Sequence, residues 1–200
     1  MRILSWEELK DAPAGGKKTA VTIGVFDGIH RGHQELIRKI TGKAPEMIPT
    51  VLTFRENPKF GVLNPQKEGN LRDFEGDIIS FKEKTALFSG LGVELCVIID
   101  FTRNFSTMKG RFFFEELCAR LNPGYAAIGR NFHCGYGRDT GAEAFKALAD
   151  ASGFTAEIVE PVLEGALPVS SSRIRAAFRE GRFEEAGLLL GRPYSGMNKE

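Results

Sequence analysis

Residues 19–33 read TAVTIGVFDGIHRGH and join a short apolar run to a glycine-rich turn and two histidines. The run from Thr19 to Phe26 is β-branched and apolar on both faces, which is typical of a strand buried on both sides of a parallel sheet. It ends at Asp27-Gly28, a turn signal, and apolar residues then recur at helical spacing over residues 34–40. The stretch therefore predicts a strand that leads through a glycine-rich turn into a helix.

Strands and helices alternate along the rest of the chain. Apolar runs predict further strands at 47–54, 93–99, 125–128 and 155–159, and helical spacing predicts helices at 81–91, 112–121, 142–151, from Ser171 to a stop at Gly181, and 183–190. This order predicts an α/β fold: a doubly wound, Rossmann-like, mostly parallel sheet of about five strands flanked by helices, with residues 1–200 as a single domain. Such sheets bind ligands beyond the carboxyl ends of their strands, where the strand order reverses.

The composition excludes several classes of protein. The 200 residues hold 27 Lys and Arg against 26 Asp and Glu, a net charge of +1, which argues against a protein that coats nucleic acid or an anionic membrane. No apolar run approaches the roughly 18 residues of a membrane span, and acids stand where a signal peptide would be apolar. Three cysteines without a C-x-x-C pair indicate neither a disulfide framework nor a zinc cluster. We expect a cytoplasmic protein without nucleic-acid or membrane partners, and the oligomeric state stays open.

The turn after the first predicted strand has the composition of a phosphate site. Gly24 and Gly28 allow the backbone to approach a ligand, and the free N–H groups of a helix start bind phosphate. His30 and His33 lie on one face of the first helical turn, with Gly32 between them leaving room. A helix N-terminus disfavours imidazolium, so we expect both rings to be neutral in the empty site. The alternatives are a solvated pair or half of a metal site, although no acid or third histidine lies nearby at ligand spacing.

A second anion-binding pattern follows late in the chain. Residues 170–175 read SSSRIR and place three hydroxyls and two guanidinium groups at a helix start. The alternative is an ordinary serine-capped surface helix. Together with the histidine turn, the segment would contact a triphosphate from a second side.

These motifs carry a resemblance to a known family. H-x-G-H after a strand, with S-S-S-x-I-R near the end, is similar to the nucleotidylyltransferase superfamily. The longer series VTIGVFDGIHRGHQ, VLTF-x-x-NP, EK-x-x-LF-x-x-LGV, IGRNFHCGYGR, VSSSRIR and LGRPY resembles, in order and over residues 17–194, the adenylyltransferase module of bacterial FAD synthetase. The resemblance implies a nucleotidylyltransferase-type fold and an FMN adenylyltransferase that converts ATP and FMN to FAD and pyrophosphate with Mg²⁺. Many members continue into a riboflavin kinase module, for which these 200 residues leave no room.

The resemblance also implies roles for individual residues. Three are expected to be catalytic: His30 and His33 at the α- and β-phosphates, and Arg175 at the leaving pyrophosphate. The residues expected to bind ATP are Gly24, Phe26, Gly28, His30, His33, Asn131, Ser171, Ser172 and Arg175. The residues expected to bind the flavin are Phe54, Asn57, Pro58 and Phe132. The Mg²⁺ ligands stay unassigned, with Asp27 and Asp139 as candidates by position.

The sixteen phenylalanines can belong either to the core or to a flavin site, because flavin sites use aromatic faces. We expect most of them in the core, with Phe112, Phe113 and Phe114 as a helix packing face. Phe54, Phe60 and Phe132 lie near loops where a flavin could rest, with simple packing as the alternative.

The chain departs from the family pattern at three positions. Asn57 stands before Pro58 where histidine is usual, Cys134 replaces an aromatic residue, and Pro168 precedes the serine motif where a basic residue is common. Two other functions therefore stay open. One is a sibling transferase that acts on another phosphate acceptor, such as pantetheine phosphate or nicotinamide mononucleotide. The other is a non-catalytic sensor of nucleotide or flavin.

Overall fold

A computed structural model describes residues 1–9, 16–58 and 76–194 of the chain. Its strands are β1 (Arg2–Ser5), β2 (Thr19–Ile23), β3 (Ile48–Phe54), β4 (Leu95–Ile99), β5 (Pro123–Gly129), β6 (His133–Cys134), β7 (Thr140–Gly141), β8 (Thr155–Val159), β9 (Leu163–Glu164) and β10 (Leu167–Pro168). Six of them form one sheet in the order β1-β4-β3-β2-β5-β8, and every neighbouring pair in it is parallel. The pairs β6–β7 and β9–β10 are small antiparallel hairpins.

Helices cover both faces of the sheet. They are α1 (Arg31–Thr41), α2 (Phe81–Gly90), α3 (Arg103–Ser106), α4 (Gly110–Leu121), α5 (Ala142–Ala151), α6 (Ser171–Arg179) and α7 (Phe183–Leu190). Successive strand residues point to opposite faces, so Ala20 of β2 belongs to one apolar core and Val21 to the other. The first core is covered by α1, α2, α6 and α7, and the second by α4 and α5. The predicted doubly wound α/β fold is confirmed.

The structure adds elements to those predicted. The sheet has six strands rather than about five, because β1 pairs with β4 at the sheet edge, where Arg2 and Ile3 are exposed and give no buried apolar run. Strand β2 ends at Ile23 rather than Phe26, since Phe26 has a φ of 52° and leaves the extended conformation. On α4, Phe113 and Phe114 are buried as expected, but Phe112 is 52% exposed. Three consecutive helical residues span about 200° of the helix surface, so they cannot share one packing face.

The sheet order places a crevice beside the central strand. From β2 the chain proceeds to β3 and β4 on one side, whereas β5 and β8 extend the sheet on the other. The reversal lies between β2 and β5, and residues 24–30 and 130–134 follow the carboxyl ends of these two strands. This is where a doubly wound sheet binds its ligand.

Candidate active site

A cavity of about 650 Å³ opens at this crevice. Its volume lies within the range of roughly 300–1,000 Å³ that is usual for ligand pockets. One part of the wall comes from the turn after β2 and the start of α1: Gly24, Val25, Phe26, His30, Gly32 and His33. Asn131 and Phe132 after β5, and Glu160, Pro161 and Val162 after β8, form another part. A third part is aromatic: Phe54, Phe101, Phe105 and Phe113.

The turn between β2 and α1 has an unusual backbone. Phe26, Gly28 and Ile29 have φ values of 52°, 81° and 40°, a region that non-glycine residues enter only at a free-energy cost. Hydrogen bonds to its carbonyl groups hold this conformation. Arg192 donates to the carbonyl oxygens of Gly28 (2.7 Å) and Ile29 (3.1 Å). Gln34 Nε2 donates to the Ile29 carbonyl at 2.9 Å.

His30 is the N-cap residue of α1, and this contact sets its tautomer. Its Nδ1 accepts a hydrogen bond from the His33 amide at 3.4 Å, so the neutral ring carries its proton on Nε2 and can donate there to a ligand. Burial of the ring lowers the His30 pKa to about 4. The lowered pKa favours the neutral ring, as predicted, but its main cause is burial rather than the helix N-terminus.

His33 stacks on His30. The ring centroids are 3.6 Å apart with an interplanar angle of 17°, and the edge of Phe26 packs against His33 at 5.2 Å. Burial lowers the His33 pKa well below its usual value, and the neighbouring His30 and Lys84 act in the same direction. A Cβ atom at Gly32 would lie 3.3 Å from two atoms of the His30 ring, so glycine keeps room for the stacked pair.

The late serine motif meets the histidine turn through Asp27. Ser171 Oγ donates to the Asp27 carbonyl at 2.9 Å, and the Arg175 guanidinium forms an ion pair with the Asp27 carboxylate. That carboxylate also accepts the Ile78 amide at 2.8 Å. Ser170 caps α6, as the alternative interpretation of a serine-capped helix required. The two predicted anion motifs therefore adjoin each other across 144 residues of sequence.

Several predicted ATP residues lie behind the cavity wall rather than in it. Ser171, Arg175 and Gly28 contact or form the turn without lining the cavity, and Ser172 is exposed. Arg175 also donates to the Gly76 carbonyl. Direct contact of these residues with ATP stays a prediction, whereas the contacts of Ser171 and Arg175 with Asp27 show that the motif supports the turn.

Neither candidate carboxylate has the surroundings of a Mg²⁺ ligand. Asp27 is 3% exposed and bound to Arg175 and the Ile78 amide. Asp139 accepts from the Gly110 amide at 3.0 Å and the Thr140 hydroxyl at 3.2 Å. Within the described ranges, no group of three His, Cys, Asp or Glu side chains is placed to hold a metal. The side chains in these ranges thus do not fit a protein-held Mg²⁺ ion.

The predicted flavin residues line the cavity, with further aromatic side chains beside them. Phe54, Asn57, Pro58 and Phe132 all line it, while Phe60 lies outside the described residues. Phe54 packs edge-on against Phe101 at 5.8 Å and Phe105 at 6.3 Å, two residues that the sequence analysis missed. A signal for them existed, since two phenylalanines four residues apart follow the carboxyl end of β4.

Fold and site together define a doubly wound α/β protein with a glycine-rich strand-to-helix turn and a cavity at the reversal point of its sheet. Comparison with known families makes this more specific. A family model described as FAD synthetase matches residues 13–173. The chain belongs to the FAD synthetase family.

Individual relatives agree with this membership. The bifunctional riboflavin kinase/FMN adenylyltransferase of Bacillus subtilis is 32% identical over 181 residues, which are 88% of this chain and 54% of that protein. A FAD synthetase of Listeria monocytogenes is 27% identical over 185 residues, covering 92% of this chain and 73% of that protein. The chain thus spans about half the length of the bifunctional relatives.

A solved structure has the same fold. It is described as a macrolide-efflux protein from Streptococcus pneumoniae and superposes with a TM-score of 0.81 at 29% identity, over 97% of this chain and 63% of that one. The described residues of the present chain include no helix with the length and apolarity to cross a membrane.

Proposed function

We propose that this chain is an FMN adenylyltransferase, which transfers AMP from ATP to FMN and releases pyrophosphate. The observation that carries the proposal is the placement of two stacked imidazoles and an aromatic wall in one cavity at the reversal point of the sheet. The imidazoles provide donors for phosphate oxygens, and the phenylalanines provide faces for an isoalloxazine ring. Membership of the FAD synthetase family supports the same substrates.

The reaction needs no nucleophile from the protein. A phosphate oxygen of FMN forms a bond to the α-phosphorus of ATP, and the bond to the oxygen that bridges the α- and β-phosphates breaks with its electron pair leaving on pyrophosphate. The contribution of the protein is to align the two substrates and to stabilise charge on the phosphoryl oxygens. In the proposal, His30 donates its Nε2–H to these oxygens, and the stacked His33 ring donates to them as well. Mg²⁺ enters as part of the metal–ATP substrate.

The decisive test is pyrophosphate release by the full 200-residue chain with ATP and FMN, with and without Mg²⁺, together with the mass of the product. We expect release only when both substrates are present and a product with the mass of FAD. Riboflavin is the matched control, because it has the same ring system and lacks the attacking phosphate.

Two outcomes would contradict the proposal and identify a different function. Release with pantetheine phosphate or nicotinamide mononucleotide, but not with FMN, would identify a sibling transferase. Binding of ATP and FMN without any release would identify a sensor. The aromatic wall favours the flavin, since neither of the other acceptors has a three-ring system to fill it.

A further inference from the structure

Lys84 is a fully buried lysine that contacts the turn between β2 and α1. It lies on α2, and its Nζ donates to the Val25 carbonyl oxygen at 3.1 Å. The Thr53 hydroxyl donates to the same oxygen at 3.2 Å. A lysine is rarely buried completely unless it is paired, so this placement calls for a physical reason.

The hydrogen bonds to Val25 fix the direction of the next amide. In a trans peptide the carbonyl and the N–H of one plane point in opposite directions. Val25 and Phe26 line the cavity, whereas Lys84 and Thr53 do not. The Val25 carbonyl is thus held on the side of Lys84 and Thr53, and the Phe26 N–H of the same plane points the opposite way. An ammonium donor also polarises the peptide and makes this N–H a stronger donor to an anion.

Acidic groups near Lys84 oppose the effect of its burial. Burial lowers the pKa of Lys84, while the carboxylates of Asp77 and Asp27 act in the opposite direction. Asp77 in turn accepts a hydrogen bond from the side chain of Asn57, which lines the cavity. The positive charge of Lys84 also acts on His33 and disfavours imidazolium there.

We propose that Lys84 is a positioning residue for phosphate binding: its ammonium orients the Val25–Phe26 peptide so that the Phe26 N–H faces the same anion as His30 and His33. The inference rests on the proposed function for the identity of that anion, a triphosphate or pyrophosphate. It adds a residue that touches no substrate and acts through the backbone. The left-handed φ of Phe26 indicates why such a residue is needed, because the turn does not adopt this conformation without support.

The test compares two ligands in variants of the full chain. Inorganic pyrophosphate, titrated by calorimetry, reports on the anion site, and riboflavin, followed by fluorescence quenching, reports on the aromatic part of the cavity. Lys84→Met removes the donor and keeps the apolar stem. Its control is Arg120→Met, which removes a cation that donates to the Trp6 and Leu9 carbonyls away from the cavity.

We expect Lys84→Met to weaken pyrophosphate binding by about tenfold and to lower kcat for FAD formation by roughly 10²-fold, as loss of an oriented anion donor does. Riboflavin binding should change by less than about twofold, because the aromatic wall loses no contact. Arg120→Met should lower thermal stability and leave pyrophosphate binding unchanged. Unchanged pyrophosphate binding in Lys84→Met, or equal loss of both ligands, would overturn the proposal.

A pair of threonine variants keeps the test decisive if Lys84→Met does not fold. Thr53→Val removes the second donor to the Val25 carbonyl, and Thr50→Val removes a buried hydroxyl of the same strand that bonds Ile48 instead. Thr53→Val should weaken pyrophosphate binding by about threefold to fivefold, and Thr50→Val should not. Equal effects of the two variants would contradict the inference.

Failure of the inference and failure of the proposed function give different results. If the wild-type chain forms FAD and Lys84→Met matches it in kcat and pyrophosphate affinity, only the role of Lys84 is wrong. If the wild-type chain forms no FAD but Lys84→Met selectively loses pyrophosphate, the role of Lys84 stands and the proposed function is wrong.

Discussion

At the scale of single residues, the two nitrogens of His30 have different functions. Its Nδ1 caps α1 by accepting the His33 amide, and its Nε2 carries the proton that a phosphate oxygen would accept. An alanine at this position would remove both contacts and mix a loss of stability with a loss of activity. Asparagine is a good N-cap residue, so His30→Asn separates the two effects.

We expect His30→Asn to lower kcat by about 10²–10³-fold, the range found when one donor to a developing oxyanion is removed. The midpoint of thermal unfolding should stay close to that of the wild type, whereas His30→Ala should lose about 1 kcal/mol of unfolding free energy as well. His33→Ala should lose turnover similarly. Steady-state FAD formation and thermal melts measure the two quantities. Near-wild-type turnover in His30→Asn would mean that the ring has no role at the phosphates.

The lowered pKa of His30 makes stability depend on pH. The unfolded chain binds a proton near pH 6.5, while the folded chain does so only near pH 4, so the free energy of unfolding falls as the pH drops through this interval. For His30 alone the loss at pH 5 is about 2 kcal/mol, using roughly 1.4 kcal/mol for each pKa unit. Urea unfolding at pH 7.5 and pH 5 should therefore show a larger decrease for the wild type than for His30→Asn. Equal decreases would show that His30 is not buried in its neutral form.

At the scale of secondary-structure elements, the turn between β2 and α1 is held by segments that are distant in sequence. The sequence predicted a strand, a glycine-rich turn and a helix here, because these depend on local spacing. It did not predict that Arg192, more than 160 residues later, bonds the Gly28 and Ile29 carbonyls. Nor did it predict the ion pair of Arg175 with Asp27. Such contacts depend on how α6 and α7 pack on the sheet, which periodicity does not reveal.

We expect Arg192→Met to relax the turn, lowering the unfolding free energy by about 1–3 kcal/mol and kcat by roughly tenfold or more, because two buried carbonyl groups lose a charged donor. Arg182→Met is the matched control, since Arg182 is the exposed N-cap residue of α7 and forms ion pairs with Glu180 at the end of α6 and with Glu185. Exposed ion pairs contribute little, so the control should match the wild type. Chemical denaturation and FAD formation are the measurements. Similar losses in the two variants would mean that Arg192 does not stabilise the turn.

At the scale of the whole molecule, residues from both faces of the sheet line the cavity. The histidine turn leads into α1, which packs on one core, whereas Phe113 and Phe105 belong to the other core. The sequence indicated Gly24, Phe26, His30 and His33 of the cavity wall together, because they are close in the chain. It predicted the aromatic side only in part, because Phe54, Phe105 and Phe132 lie at or after the carboxyl ends of β3, β4 and β5, which the sheet order β4-β3-β2-β5 brings to one edge.

Because the two parts of the cavity come from different faces of the sheet, we expect that the affinities for the two substrates can be lowered separately. In the double variant Phe54→Leu, Phe132→Leu, apolar volume is largely kept while two aromatic faces are lost. We expect FMN affinity to fall by about tenfold, since each aromatic contact contributes roughly 0.5–1.5 kcal/mol beyond burial, while ATP affinity stays within about twofold. Phe112→Leu, on the exposed side of α4, is the control and should bind both ligands as the wild type does. Fluorescence quenching for FMN and calorimetry for ATP provide the comparison. Equal weakening of both ligands would mean that these rings pack the core of the molecule rather than contact a flavin.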